Sequence, residues 1–320
     1  MLTPFRDAQQ ALGFVTPQFY NIETSVYEIK YPSFDYASFV PVITEGNEWA
    51  RGTLFYSMDS AGKAEWLNGR ANDMPYADVS KTQYTQGFHM GGIGYEWNLE
   101  EINVARMEGI PLTDAKGRAA RRIAEQFLWN VAMSGKSDGT NSEKNWTGLT
   151  NDANVPAANV AANGSGSSTL WSTKTPDQIL TDINAGLTGV FTTTQETEMG
   201  DTVLLPTAIY QSIASTARSS NSDTTILKFL LENNAYTAQT GQPLLVRALR
   251  LLNTAGAASS GRAIIYRRDP EVLRFHLPMP HRFLPPFQKS SMSYEVAGIM
   301  RTGGLEVRLP KAISYLDGIL

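Results

Sequence analysis

The 320-residue chain has no cysteine, which excludes disulfides, thiolate nucleophiles and cysteine-based zinc sites together. Histidine is scarce as well: His89, His276 and His281 are the only three. His276 and His281 are separated by Pro278 and Pro280, so they cannot share a helix face as zinc-protease ligands do, and no acidic residue lies between them. Packing or surface roles are expected for all three. There is no surplus of positive charge; the net charge of −4 provides no global field drawing the chain onto nucleic acid or an acidic membrane. No apolar run approaches the roughly 20 residues of a membrane span, and the start Met1-Leu2-Thr3-Pro4-Phe5-Arg6-Asp7 lacks a basic segment followed by an apolar one. A soluble chain without an export signal is expected. No repeat of fixed period, Walker A motif or nucleophile elbow is present.

The remaining candidates for chemistry are weak. Gly91-Gly92-Ile93-Gly94 has the wrong spacing for a dinucleotide fingerprint and is followed by a strand pattern, so its glycines are read as a bulge. Glu100 and Glu101 are helix neighbours about 100° apart and do not face each other as a general acid and base would. The arginines Arg118, Arg121 and Arg122, and separately Arg267 and Arg268, read as solvated or salt-bridged faces, with phosphate contact the sharper alternative. No catalytic residue, cofactor or metal is expected.

What the chain does have is a long two-faced helix from Thr113 to about Met133. Ala120, Ile123, Ala124, Phe127, Leu128 and Val131 recur at three- and four-residue intervals and form one apolar stripe. Trp129 and Met133 fall on the far side with Arg118, Arg122 and Glu125. From this segment alone, a helix end buried all round in its own domain is favoured over an intermolecular contact. Thr113 is placed as the cap, Pro111 as the break after a short helix from Leu99 to Met107, and Gly135 as the stop.

Around this helix the chain divides into segments. The first 40 or so residues mix prolines and aromatics without a helical period and read as an extended arm lying on some surface. From Glu45 to Pro75, Leu54-Phe55-Tyr56 and Ala64-Glu65-Trp66-Leu67 flank a turn at Ser60-Ala61-Gly62, a projecting hairpin. Lys81 to Trp97 is a strand whose alternation changes phase at Gly91-Gly92. Ser134 to Thr147 reads as a linker and Asn151 to Ser168 as an exposed crossing. Thr175-Pro176-Asp177-Gln178 is a capping box opening a helix, Asp201 to Leu205 a buried strand, Pro206 a second helix start, and Asp223 the cap of a third helix, Thr224 to Asn234. Strands follow at Leu244 to Leu252, Arg262 to Arg267 and Val272 to Leu277. Met292 to Ala297 and Leu305 to Leu309 flank Thr302-Gly303-Gly304 as a hairpin with one buried face.

The order of parts resembles the major capsid proteins of tailed bacteriophages, the Hong Kong ninety-seven-like fold, to which encapsulins are related. The resemblance rests on Trp97-Asn98-Leu99-Glu100-Glu101-Ile102, Gly109-Ile110-Pro111-Leu112, Gly200-Asp201-Thr202-Val203-Leu204-Leu205-Pro206, Leu230-Leu231-Glu232-Asn233-Asn234 and Arg301-Thr302-Gly303-Gly304. It implies an α+β fold with an N-terminal arm (1–44), an extended loop (45–80), a peripheral domain (81–150) with its spine helix at 113–133, an axial domain (151–275) and return strands of the peripheral domain (276–320). It further implies a virus-head subunit, a structural protein and not an enzyme. Hexamers and pentamers would close an icosahedral shell around double-stranded DNA held by non-specific contact. A portal, a separate scaffolding protein and room for a decoration protein go with it, with assembly in the host cytoplasm and no membrane. The scaffold is expected to be separate because the chain begins almost at the arm. Inter-subunit contacts are expected at Trp49, Arg51, Lys63, Glu65, Trp66, Arg70, Trp129 and Met133, and an interior, DNA-facing surface at Arg118, Arg121 and Arg122. Some members of the family join a loop lysine to a late asparagine; Lys63 could supply the amine, but no asparagine follows Asn253, so no cross-link is expected. An encapsulin-type compartment and a soluble α+β enzyme or binding module are the alternatives.

Overall fold

Two helices near the middle of the chain show how the sequence sets local structure. In α1 (Leu99–Glu108), Asn98 Oδ1 accepts from the Glu101 amide at 2.7 Å while the Glu101 carboxylate accepts from the Asn98 amide, and Gly109 closes the helix in the left-handed region at φ 72°. The stop is therefore Gly109, before Pro111 is reached. In α2 (Leu112–Ser134), Pro111 occupies the cap position without a side-chain hydrogen bond, and Thr113 lies inside the first turn. The 23 residues of α2 make a rod of about 35 Å.

The computed structural model describes residues 34–66, 74–109, 111–135, 144–219 and 223–320. Most of the expected arm lies outside them. In chain order the strands before α1 are β1 (Val42–Ile43), β2 (Gly52–Ala61), β3 (Asp78–Gly87), β4 (His89–Gly92) and β5 (Tyr95–Asn98). After α2 come β6 (Ala157–Asn159), α3 (Pro176–Thr193), β7 (Thr202–Leu205), α4 (Thr207–Ser215), α5 (Ile226–Glu232), α6 (Ala235–Thr240), β8 (Leu245–Ala248) and β9 (Arg262–Tyr266). The chain ends with β10 (Leu273–His276), β11 (Met279–Phe283), β12 (Phe287–Gln288), β13 (Ser293–Val296), β14 (Gly298–Thr302), β15 (Gly304–Val307) and β16 (Ile313–Asp317).

One sheet, ordered β6-β16-β9-β7-β8, organises the interior. Its strands alternate between two apolar cores. Leu204, Ile264, Tyr266, Ile313 and Tyr315 join Leu128, Val131 and Met133 of α2, whereas Val203, Leu205, Ala263, Ile265 and Leu316 join Ile183 and Leu187 of α3. A sheet covered on both faces explains the unbroken apolar runs Val203-Leu204-Leu205 and Ala263-Ile264-Ile265-Tyr266. The helix opening at Pro176 carries the expected box, with Thr175 and Gln178 capping each other. Buried beside it, Lys174 Nζ donates to Asp182 at 2.6 Å and Trp171 Nε1 donates to the same carboxylate at 2.9 Å.

Several elements differ from the sequence reading. The hairpin does not turn at Ser60-Ala61-Gly62: β2 pairs along its length with β3, Ala61 opposite Asp78, and Ala64 to Trp66 form no strand. Cross-strand packing, including Phe55 stacked on Tyr84 at 5.2 Å, outweighs the local turn signal. The phase change after β4 falls at Ile93-Gly94, where the chain leaves β14 for β13; a Cβ on Gly94 would lie 2.4 Å from the Val296 carbonyl oxygen. The third helix of the middle segment is α5 and is capped by Thr225 instead of Asp223; it stops at Glu232, and Asn234 caps a further helix, α6, through the Thr237 amide. Thr302-Gly303-Gly304 joins different sheets instead of closing a hairpin, since β14 pairs with β4 and β11 while β15 pairs with β10. Gly303 is fixed there by the hydrogen bond its N–H donates to the His276 carbonyl at 3.0 Å. The C-terminal strand β16 pairs with β9 and β6, so it completes the central sheet and not a sheet of β10 to β15.

Candidate assembly surfaces

The hairpin of β2 and β3 has ten residues in each strand and stands apart from both cores. Residues directly opposite in an antiparallel pair share a face, so the register places Leu54 with Thr85, Tyr56 with Gln83, Met58 with Lys81 and Ser60 with Val79 on one side. Leu54, Tyr56, Met58 and Val79 are all exposed. The opposite face begins with Phe55 and Tyr84 and then turns polar through Ser57, Thr82, Asp59, Ser80 and Asp78.

Among the described residues, only the base of the hairpin is tied to the body. Gln86 Nε2 donates to the Gly303 carbonyl, and the Arg308 guanidinium lies 4.4 Å from the centre of the Phe55 ring. Arg308 Nε also donates to Glu306 at 2.7 Å, and Glu306 pairs with His276 on its other oxygen. Burial by itself would raise the Glu306 carboxyl, but the hydrogen bonds and charges of His276 and Arg308 outweigh it and hold the group below the usual carboxylate range. Nearby, the buried Arg301 donates to the Glu48 carbonyl at 2.7 Å and to the Phe88 carbonyl at 3.3 Å. These contacts give the ribbon a fixed root and leave its shaft uncovered.

The sequence candidates fall at several places. Trp49 is exposed beside Arg301, 5.9 Å from its guanidinium to the ring centre, and Arg51 is exposed at the root. Lys63 and Glu65 pair with each other at 2.8 Å on the exposed connection, next to the fully exposed Trp66. Arg70 lies outside the described residues. On α2, Met133 is 0% exposed within the single chain and belongs to the core shared with β9 and β16, so its burial needs no neighbour; this removes it from the contact candidates. Trp129 is half-buried and meets Phe39 edge-on at 5.4 Å. The second face of α2 is thus covered in part by residues 36–39, whose Phe39 carbonyl also accepts from the buried Tyr266 hydroxyl at 2.6 Å. Of the arginines, Arg118 and Arg121 are exposed and Arg122 is half-buried, with Arg121 paired to Glu125 at 3.4 Å. Ile123, read as part of the core stripe, is 43% exposed.

Sequence reasoning missed what holds the end of α2. The Leu149 and Thr150 amides donate to the Ala132 and Met133 carbonyls, and Asn151 Nδ2 donates to the Ser134 carbonyl, so Leu149 and Thr150, between the supposed linker and crossing, and Asn151, at the start of the crossing, cap three otherwise unpaired helix oxygens. It also missed the openness of α1, which buries Ala105 but exposes Leu99, Val104 and Met107. A low amphipathic contrast in Leu99–Glu108 was the available signal for that. Among the described residues no group of acidic and histidine side chains is arranged to hold a metal, and no helix is long and apolar enough to cross a membrane.

A profile of the family described as major capsid protein matches residues 62–319. Among solved structures, the chain is similar to the capsid of the Myoviridae phage XM1, with a TM-score of 0.78 at 15% identity over 94% of this chain and 97% of that one. It is also similar to structures from Mycobacterium phage Ogopogo (TM-score 0.60, 8% identity, 95% and 98% covered) and Gordonia phage Cozz (TM-score 0.57, 15% identity, 99% and 98% covered). At these identities the likeness is one of fold. No curated protein matches the sequence.

Proposed function

The chain belongs to the major capsid protein family and is a structural subunit of a phage capsid, not an enzyme; on that premise we propose how its parts build the shell. The observation that carries the proposal is the hairpin. A two-stranded ribbon is marginal in water without a packed face, yet this one exposes Leu54, Tyr56, Met58 and Val79 along one side. It acts as an extended loop (45–80) reaching onto a neighbouring subunit, with Trp49, Arg51, Lys63, Glu65, Trp66 and Arg70 in or beside the contact and Trp129 beneath an arm (1–44).

Residues 81–150 and 276–320 serve as the peripheral domain, with 113–133 as its spine helix, and 151–275 as the axial domain around hexamer and pentamer centres. Repeated heterologous contacts of this kind close by symmetry into an icosahedral shell. The shell encloses double-stranded DNA, with Arg118, Arg121 and Arg122 turned inward for contact with phosphate by charge alone. A separate scaffolding protein, a portal and, outside, a decoration protein complete the head, which assembles in the host cytoplasm. Lys63 is engaged with Glu65 and no asparagine follows Asn253, so the subunits stay uncrosslinked.

Sedimentation and negative-stain microscopy of the protein, purified alone and together with its scaffolding protein, test the shell: closed particles of uniform size are expected in at least one preparation, and a monomer or dimer in both at every concentration and salt would refute it. Boiling particles in detergent should release single chains, and a covalent ladder would refute the absence of cross-links. Charge reversal at Arg118 and Arg122 should lower genome packaging and the salt stability of filled heads. If both are unchanged, the inward assignment is wrong.

A further inference from the structure

The chain has a second uncovered apolar face besides the hairpin stripe, and the two are complementary in charge. At about 100° per residue, Leu99, Asn103, Met107, Glu100 and Val104 of α1 share one side of the helix, with Ala105 and Ile102 turned toward the fold. Met107 is 89% exposed, and Leu99 and Val104 nearly half. Glu100 lies on that side in the first turn of the helix. Its neighbour Glu101 is committed to Lys116 at 2.9 Å, whereas Glu100 has no cation partner among the described residues. On the hairpin, Lys81 has no carboxylate partner among the described residues; its ammonium rests 3.5 Å from the centre of the Tyr56 ring, opposite Met58.

We propose that the hairpin stripe around Lys81 seats on the outer face of α1 of a second copy of this chain, with Lys81 against Glu100. The proposal rests on the shell-subunit reading above and names the receiving surface. The dimensions are comparable: the ten residues of α1 span about 15 Å, as do about four to five strand residues at roughly 3.3 Å each, so with Lys81 over Glu100 in the first turn of α1, Tyr56 lies beside Leu99 and Val79 toward Val104 and Met107. Apolar side chains surround the charge on both sides, so docking would desolvate the Lys81–Glu100 pair while covering Tyr56, Met58 and Val79 with Leu99, Val104 and Met107. Because donor and acceptor surfaces are different patches, the contact is head-to-tail and propagates around a ring.

The test is a charge swap in the full chain. Lys81→Glu and Glu100→Lys should each raise the concentration needed for particle formation at least about tenfold, and the double variant should return to within about threefold of the parent. Both side chains are exposed, so the unfolding midpoint of the subunit should not move. A double variant no better than the worse single overturns the pairing. Because the parent has no cysteine, Met58→Cys combined with Met107→Cys gives an independent readout. Oxidised particles of the double variant should run as a covalent ladder, and neither single variant should. No ladder, or a ladder from Met58→Cys alone indicating hairpin against hairpin, overturns the proposal. A parent that never assembles, with or without its scaffolding protein, refutes the shell reading itself, whereas a parent that assembles without these couplings refutes only the docking surface.

Discussion

Replacing Met133 by alanine separates the two roles that the far side of α2 could have. The side chain is 0% exposed in the isolated chain and packs in the core formed by α2, β9, β10 and β16. Truncating a fully buried methionine removes its transfer free energy and leaves a cavity, about 2–5 kcal/mol together, while the slightly better helix propensity of alanine returns only a few tenths. A loss of about 3 kcal/mol is expected. With a urea dependence of about 3 kcal/mol per molar for a chain of this size, the midpoint of subunit unfolding should fall by about 1 M. The assay is urea unfolding of dilute, unassembled subunits followed by tryptophan fluorescence. Met58→Ala, on the exposed hairpin stripe, is the control: its midpoint should shift by the equivalent of no more than about 0.5 kcal/mol, with the defect appearing in assembly. An unchanged midpoint for Met133→Ala together with failed assembly would refute the reasoning, because it would mean that Met133 is covered by another subunit.

Three further outcomes follow from the same structure. Gly148→Ala would place a Cβ 2.4 Å from the Met133 carbonyl and the Gly135 amide, all backbone, so thermal unfolding should show a loss of about 3 kcal/mol or more; Gly189→Ala, on α3 with open space around it, should instead gain about 0.5–1 kcal/mol. Lys174→Met strands the buried Asp182 carboxylate and should cost about 3–5 kcal/mol in denaturant melts; adding Asp182→Leu should recover part of it, and equal losses in single and double variants would argue against a buried ion pair. Glu306 has a lowered folded-state pKa, so its contribution is complete above the unfolded carboxylate value near 4.5 and is lost as pH falls through the lower folded value. Glu306→Gln should flatten the acid limb of a melting-temperature profile between about pH 3 and 5, and an unchanged limb would show that the pair with His276 and Arg308 does not govern it.

Much of the secondary structure was legible because it is decided locally. Asn98 with Glu101 and Thr175 with Gln178 announce helix starts through groups three residues apart, and Val203-Leu204-Leu205 reads as a doubly covered strand from its lack of polar residues. Misreadings cluster where long-range pairing chooses between local options. Ser60-Ala61-Gly62 is a sound turn sequence, but Ala61 pairs with Asp78. Leu230 to Asn234 reads as one helix until Asn234 is spent capping the next. Arginine-rich Arg118 to Arg122 gives no hint from sequence of which members meet solvent.

The two-faced pattern of α2 belongs in part to each level. Composition and order determined that the chain lacks cysteine and with it any thiol chemistry, and that a long helix lies between a ribbon and a second α/β segment, because these depend on residue type and short-range spacing. Which face of that helix is covered by what was decided only in three dimensions. Met133 is buried in a core shared with strands more than a hundred residues away in the chain, Trp129 is met by Phe39, and the helix end is capped by Leu149 to Asn151. A side chain's burial is a property of the partners that tertiary packing brings to it, and no periodicity within one segment contains that information.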